Sequence, residues 1–164
     1  METQKLLKII ENAKKNRRTK LVLANEKLKE LSPEIGDLKN LVELDLSGND
    51  FGTLLPEIGQ LKRLKKLGLN YLRLTSLPRE LFYLENLEEL YLRGNLLTNL
   101  SPEIWQLNKL TGLDLRGNKL TRLPNEMGRM KNLKNLYLDG NPWESPPEEI
   151  VRQGAEAVFH FLRS

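Results

Sequence analysis

Leucines recur along this chain in a fixed order, while the polar residues between them change. The stretches LTSLPRELFYLENLEELYLRGNLL and, 23 residues later, LTNLSPEIWQLNKLTGLDLRGNKL keep the same apolar positions and differ at most others. A fixed period of this length is the mark of a solenoid, in which each unit buries its apolar residues against its neighbours. The chain divides without gaps into six 23-residue units that begin at Lys15, Leu38, Leu61, Leu84, Leu107 and Met130.

Each unit has the pattern L-x-x-L-x-L-x-x-N-x-L-x-x-L, seen most clearly in LNKLTGLDLRGNKLTRL. The central L-x-L alternation predicts a short strand with one buried face. Parallel strands stacked one per unit, about 4.8 Å apart, would form one curved sheet. The inward pairs are Leu44/Leu46, Leu67/Leu69, Leu90/Leu92, Leu113/Leu115 and Leu136/Leu138.

Asparagines and prolines indicate how the chain leaves each strand. An Asn three residues after the Leu pair can bond backbone groups in successive units as a ladder, and it stands at Asn49, Asn95, Asn118 and Asn141. In the third unit NYLRL places Tyr71 and Leu72 where Gly and Asn stand elsewhere, so the ladder should break there. The segments SPEIGDL, LPEIGQL, LPRELFYL, SPEIWQL and LPNEMGRM predict short helical or 3₁₀ turns on the opposite side, entered at Pro and favoured by Glu.

The two ends predict caps within a single domain spanning residues 1–164. Residues 1–14 form an N-terminal cap helix with apolar residues at helical spacing, residues 15–152 form the six repeats, and residues 153–164 form a C-terminal cap helix. Trp143 takes the position of Leu74, Leu97 and Leu120 in the last unit, which favours a core role over ligand binding.

These motifs resemble the leucine-rich repeat family over residues 15–152. The resemblance implies an α/β, right-handed leucine-rich repeat solenoid (horseshoe) with a parallel concave sheet and helical caps. The 23-residue unit with LPxEIGxLxxLxxLxL is similar to the short intracellular and bacterial class. The flanks RTKLVLANEKLKEL and NPWESPPEEIVRQGAEAVFHFLRS resemble the leucine-rich repeat region of Roco-type multidomain GTPases, in which the same exit leads into a GTPase domain.

The resemblance implies a non-enzymatic protein-protein interaction module. Its partner would be another protein or another domain of the same full-length chain, bound through the concave face, and the module would be the recognition or regulatory region of a larger signalling GTPase. Two alternatives stay open at this point: a structural or designed repeat scaffold without an evolved partner, and an exported bacterial effector or surface protein.

Composition narrows the environment. The 164 residues contain no Cys, which favours a reducing, cytoplasmic location, and METQKLLKIIENAKKN lacks the continuous apolar run of a signal peptide. No segment approaches the ~20 apolar residues of a membrane span. The net charge of +4 concentrates in KKNRRTK, at the predicted end of the first helix, where cations complement the helix dipole. Nucleic-acid or membrane contact is the alternative interpretation of that cluster; we expect no nucleic-acid partner.

Catalytic and metal-binding patterns are weak. His160 is the single His, so a His-based metal site or a Ser-His triad lacks partners. GLDLRGNK spaces Gly112 and Gly117 as a phosphate loop does, but Asn118 separates Gly117 from Lys119, and no Ser or Thr directly follows that Lys. We therefore expect no enzyme activity, no cofactor, no metal and no small-molecule substrate.

The outward strand positions are free of core constraints and form three columns. The first column is Lys20, Glu43, Lys66, Glu89, Gly112 and Asn135; the second is Val22, Asp45, Gly68, Tyr91, Asp114 and Tyr137; the third is Ala24, Ser47, Asn70, Arg93, Arg116 and Asp139. The first three repeats place no Tyr or Arg in these columns, and most of their second- and third-column residues are small. The second half predicts a protein-binding site, because Tyr and Arg dominate the energetics of protein interfaces. The residues of this predicted site are Tyr91, Arg93, Asp114, Arg116, Tyr137 and Asp139.

The alternative for this half is a solvated face with salt bridges between repeats. If it is a site, truncating Tyr91 or Arg116 should weaken binding and leave folding nearly unchanged. On the opposite side, Phe82 and Trp105 share the position of Gly36, Gly59 and Gly128, which predicts that their rings lie side by side and pack between adjacent turns. A contact patch on the convex side is the alternative, and two largely exposed rings would favour it.

Overall fold

Six parallel strands lie side by side in chain order in the computed structural model, which describes residues 3–164. Neighbouring strands keep one register throughout, so Leu44, Leu67, Leu90 and Leu113 stand in one column, as the repeat predicts. The strands are β1 (Lys20–Val22), β2 (Glu43–Asp45), β3 (Lys66–Gly68), β4 (Glu89–Tyr91), β5 (Gly112–Asp114) and β6 (Asn135–Tyr137). The prediction of an α/β solenoid with a parallel sheet is confirmed.

Five short 3₁₀ segments join the strands on the other side of the core. Each begins at a Pro or directly after one, because Pro fixes φ and its missing N–H is not needed at a helix start. Each also carries a Glu in its first turn. The segments are Pro33–Asp37, Pro56–Gln60, Arg79–Tyr83, Pro102–Gln106 and Asn125–Arg129.

The predicted asparagine ladder is present. Asn95 shows its geometry: the side-chain amide donates to Leu69 O at 2.8 Å and Leu92 O at 2.9 Å, and its Oδ1 accepts from the N–H groups of Leu72 and Leu74 at 3.0 Å. Asn49, Asn118 and Asn141 also donate both to their own repeat and to the preceding one. Each Asn therefore pairs backbone groups that the strand-to-turn transition would leave unsatisfied.

The ladder breaks at the third repeat, as predicted. Leu72 occupies the Asn position there and packs in the core with no exposed surface. The turn nevertheless keeps its shape, because Tyr71 adopts φ +55°, close to the +73° of Gly48 and the +69° of Gly94. Packing of the repeats thus holds a tyrosine in a left-handed conformation that costs a side-chain-bearing residue about 1–2 kcal/mol.

Helices cover both ends of the core. Helix α1 (Thr3–Lys15) buries Leu6, Ile10 and Ala13 against the first repeat. Lys14 and Lys15 lie in its last turn, and Lys14 Nζ contacts Asp37 Oδ2 at 2.8 Å, in agreement with the structural interpretation of the basic cluster. At the other end α2 (Glu148–Val151) is followed by α3 (Ala155–Arg163), which buries Val158, Phe159 and Leu162. Residues 1 and 2 of the predicted cap lie outside the described residues.

Phe82 and Trp105 line the same depression on the 3₁₀ side, as their shared repeat position predicts. Their environments differ: Phe82 is 2% exposed and Trp105 is 42% exposed. Packing between turns therefore describes Phe82, while Trp105 presents much of its ring to solvent. Trp143 is partly buried against the core, and its indole N–H donates to Leu138 O at 3.0 Å.

Candidate interaction surface

The outward strand positions lie together on one side of the sheet, which we call the concave face and define by the three outward columns of the repeats. Cross-strand pairing aligns Tyr91 with Asp114 and Asp114 with Tyr137. These three residues therefore form one row across β4, β5 and β6. The predicted site is continuous along this row, and its members then separate into three groups by the contacts they make.

The first group is Asp114, Arg116 and Tyr137. Arg116 Nε donates to Asp114 Oδ1 at 2.9 Å, its Nη2 donates to Oδ2 at 2.5 Å, and its guanidinium lies 4.9 Å from the centre of the Tyr137 ring. Asp114 is 4% exposed, so it orients Arg116 and has almost no surface for a partner. The bonds to Asp114, and then the nearby charge of Asp139, raise the pKa of Arg116. Tyr137 is 44% exposed.

The second group centres on Tyr91. Its hydroxyl donates to the Glu89 carboxylate. Lys66 Nζ lies 2.9 Å from the same carboxylate and 5.2 Å from the centre of the Tyr91 ring. The hydrogen bond from Tyr91, followed by that from Lys66, holds the pKa of Glu89 below its ordinary value, while the bond to Glu89 raises the pKa of Tyr91. Only Tyr91 of this group was predicted; the alternation of Lys and Glu in the first column is the signal for the other two.

The third group is Arg93 with Tyr71, a residue that the sequence marks only as a departure from the repeat. The Arg93 guanidinium lies 6.0 Å from the centre of the exposed Tyr71 ring. That ring covers Gly94, where an added Cβ would lie 2.2 Å from a ring carbon. An aromatic residue in a glycine column is the signal that could have found Tyr71. Asp139 is exposed at the end of the third column.

The half of the concave face formed by the first three repeats contains a groove that the sequence did not predict. It has a volume of about 280 Å³. Small residues of the second and third columns create it, and the Tyr91 side chain forms one wall. Its walls include Val22, Asp45, Ser47, Gly68, Asn70 and Tyr91.

The charged side chains of the concave face are largely paired with one another, and within residues 3–164 no group of three or more His, Asp or Glu is arranged to hold a metal ion. None of the helices in the described part is both long enough and apolar enough to cross a bilayer.

Comparison with known proteins agrees with this architecture. A profile of the leucine-rich repeat region matches residues 52–153, and a single leucine-rich repeat profile matches residues 40–61. None of the curated proteins matches the chain.

Solved structures show the same solenoid. A leucine-rich repeat protein of Leptospira interrogans is 36% identical with a TM-score of 0.68, over 85% of this chain and 42% of that one, so this chain spans less than half of its relative. The ectodomain of the Arabidopsis thaliana receptor kinase GASSHO1/SCHENGEN3 is 30% identical with a TM-score of 0.65, over 70% of this chain and 14% of that chain.

Internalin C2 of Listeria monocytogenes has a TM-score of 0.69 at 23% identity, over 76% of this chain and 53% of its own, and shows the fold alone. With the family profile covering more than half of its residues, the chain belongs to the leucine-rich repeat family.

Proposed function

We propose that this chain is a non-enzymatic interaction module that binds a protein, or another domain of its own full-length chain, through the concave face. The observation that carries the proposal is the exposed Tyr137 ring, stacked 4.9 Å from a guanidinium that Asp114 holds in place. Tyr and Arg combine large contact area with directed hydrogen bonds and account for much of the energy at interfaces.

The order of these side chains before binding supports the proposal. Arg116 is held by two bonds to Asp114, and Tyr91 is held by its bond to Glu89. Side chains that are already immobilised lose less conformational entropy when a partner binds. The solvated-face alternative accounts for the salt bridges, but it does not account for the exposed aromatic rings beside them.

The family supports the same function. Leucine-rich repeat domains typically bind proteins, and the Arabidopsis ectodomain was solved in complex with CASPARIAN STRIP INTEGRITY FACTOR 2. By analogy, the partner of this chain is a protein or peptide.

A matched pair of variants tests the proposal. Tyr137 and Trp105 are aromatic residues of nearly equal exposure, 44% and 42%, on opposite sides of the solenoid. Proteins captured from the source cells by the wild-type chain should be retained by Trp105→Ala and lost by Tyr137→Ala, with both variants melting as folded proteins. Equal retention by the two variants would overturn the concave site, and loss only with Trp105→Ala would move it to the 3₁₀ side.

We further propose that the module is of the short, 23-residue class. It belongs to a larger Roco-type signalling GTPase in the cytoplasm and serves as the recognition or regulatory region of that protein. The resemblance of the flanks RTKLVLANEKLKEL and NPWESPPEEIVRQGAEAVFHFLRS supports this. The full reading frame tests it: a phosphate-loop GTPase downstream of the repeats is expected. A frame with an export signal and no GTPase would favour the exported bacterial protein instead.

A further inference from the structure

Two aspartates occupy the same position of the repeat, and among residues 3–164 only Asp114 of the two has a cationic partner. Asp114 in β5 accepts from the backbone N–H of Arg116 at 3.1 Å and takes the guanidinium of the same residue on both oxygens. Asp45 in β2 accepts from the backbone N–H of Ser47 at 3.0 Å, in the same arrangement. Because Ser47 stands where Arg116 stands, the guanidinium is missing and the carboxylate orientation is retained.

The Asp45 carboxylate lines a groove on the concave face that has room for a further side chain. In the next repeat Gly68 lies directly beneath the Asp45 carboxylate, where an added Cβ would come within 2.5 Å of Asp45 Oδ1 and 3.2 Å of Ser47 Oγ. The lack of a side chain at Gly68 therefore lets the Asp45 carboxylate and Ser47 pack against its backbone, and these three residues line the 280 Å³ groove together. This volume is small for a ligand pocket, and suits one inserted side chain better than a drug-sized molecule.

Charge pairing leaves Asp45 as the uncompensated group of the groove. Lys20 Nζ lies 2.7 Å from Glu43 Oε2, and Lys66 Nζ lies 2.9 Å from Glu89 Oε2, so each lysine at the rim has its own carboxylate. Within residues 3–164 no Lys or Arg forms an ion pair with Asp45. The groove therefore carries an oriented anionic acceptor that favours a cation.

Arginine fits this acceptor better than lysine. A guanidinium presents a planar pair of N–H groups that matches a carboxylate bidentately, and it stacks on aromatic rings. The Asp114 site shows both interactions within this chain, with Arg116 bound to the carboxylate and stacked on Tyr137. In the groove the Tyr91 side chain supplies the aromatic wall.

From these contacts we infer that the groove over Gly68 receives an arginine side chain of the protein partner, with the Asp45 carboxylate as its acceptor. The inference deepens the proposed function and rests on it, because it names the chemistry that the concave face recognises. The partner presents an arginine to β2 and β3 while its neighbouring residues reach the row of Tyr91 and Tyr137.

Amide NMR titration with short blocked peptides tests the inference without the natural partner. The probes are acetylated, amidated Gly-Arg-Gly and Gly-Lys-Gly, added to the folded chain at millimolar concentrations. We expect saturable shifts at the amides of Ser47, Gly68 and Asn70 with the arginine peptide. Asp45→Asn, which keeps an oxygen for the Ser47 N–H, should weaken this binding by about 10-fold or more, because it removes a charge-assisted pair.

Two further variants sharpen the result. Ser47→Arg should fill the groove with the chain's own guanidinium and abolish the shifts while leaving the Asp45 charge in place. Glu85→Gln removes an exposed carboxylate on the 3₁₀ side, outside the proposed binding face, and should change the affinity by less than about 2-fold. Equal binding of the two peptides, or shifts that survive Asp45→Asn, would overturn the inference.

The two failures are distinguishable. A negative titration combined with Tyr137-dependent capture of a partner would remove the arginine groove and leave the proposed function standing. Partner capture that is indifferent to Tyr137 would remove the proposed function, whatever the peptides do.

Discussion

Arg116 folds back onto Asp114 two residues earlier in the same repeat, with a 2.9 Å bond from Nε to Oδ1 and a 2.5 Å bond from Nη2 to Oδ2. The Asp114 side chain is 6% exposed, so Arg116 donates the hydrogen bonds that water would otherwise provide. Arg116 therefore belongs both to the surface and to the stability of the fold. This contact revises the expectation from sequence that truncating Arg116 would leave folding nearly unchanged.

Arg116→Ala should lower the free energy of unfolding by ~1–3 kcal/mol, because the Asp114 carboxylate loses both guanidinium bonds and keeps only the backbone N–H of residue 116. Urea denaturation at neutral pH measures the change. Arg93→Ala is the matched control, since Arg93 occupies the same column one repeat earlier and, within the described residues, its guanidinium contacts the Tyr71 ring and no carboxylate. It should stay within ~0.5 kcal/mol. Equal losses in the two variants would show that the ion pair contributes nothing.

Asn95→Ala should destabilise the fold by ~3 kcal/mol or more. Asn95 is 2% exposed and satisfies two carbonyls and two N–H groups. Leu92 O would keep the Asn118 amide as a donor, whereas the other three would become unpaired buried polar groups. Thermal melting and urea titration would both report the loss. Asn99→Ala, at an exposed position four residues later, should have little effect and controls for the change of residue type. A small loss at Asn95 would mean that water replaces the ladder bonds.

Phe82 and Trp105 test burial at one repeat position. Phe82→Ala should cost ~3–5 kcal/mol, because it empties a space in the core between two 3₁₀ segments. Trp105→Ala should cost much less, since a large part of that ring already faces solvent. Urea denaturation midpoints of the two variants measure the two losses, provided that the free energy of unfolding depends equally steeply on urea concentration in both. Comparable costs would imply that Trp105 closes the core more tightly than its exposure indicates.

Acid should weaken the cluster of Lys66, Glu89 and Tyr91. The pKa of Glu89 is lowered in the folded state by bonds from Tyr91 and Lys66, so the stabilisation is present above the ordinary carboxylate pKa and disappears as pH falls through the lowered one. Unfolding free energies measured between about pH 6 and pH 3 should therefore fall more steeply for the wild type than for Glu89→Gln.

Glu85→Gln provides the control for that series, because Glu85 is exposed on the 3₁₀ side. Its pH dependence should match that of the wild type. A Glu89→Gln profile parallel to the wild type would show that the cluster forms equally in the unfolded chain or not at all in solution. Acidic pH isolates the contribution of Glu89, because the raised pKa values of Lys66 and Tyr91 affect stability only in alkaline solution.

The repeated core could be predicted from the sequence because each repeat contacts its neighbours through equivalent positions 23 residues apart. The strand register, the asparagine ladder, its break at Leu72 and the Pro-led turns all result from that spacing. In such an array the neighbours of a residue are the equivalent residues of the adjacent repeats, so the pattern of leucines is enough to predict how the core packs.

The surface required the tertiary structure. Arg93 and Arg116 have the same residue type in the same column, yet one lies near Tyr71 and the other is bound to Asp114. Asp45 and Asp114 likewise share a position and differ in having a cationic partner. Each outward side chain can reach several neighbours on its own and adjacent strands, and competition among those contacts selects one. Residue spacing alone leaves these choices equivalent, whereas buried leucines have only one apolar interior to enter.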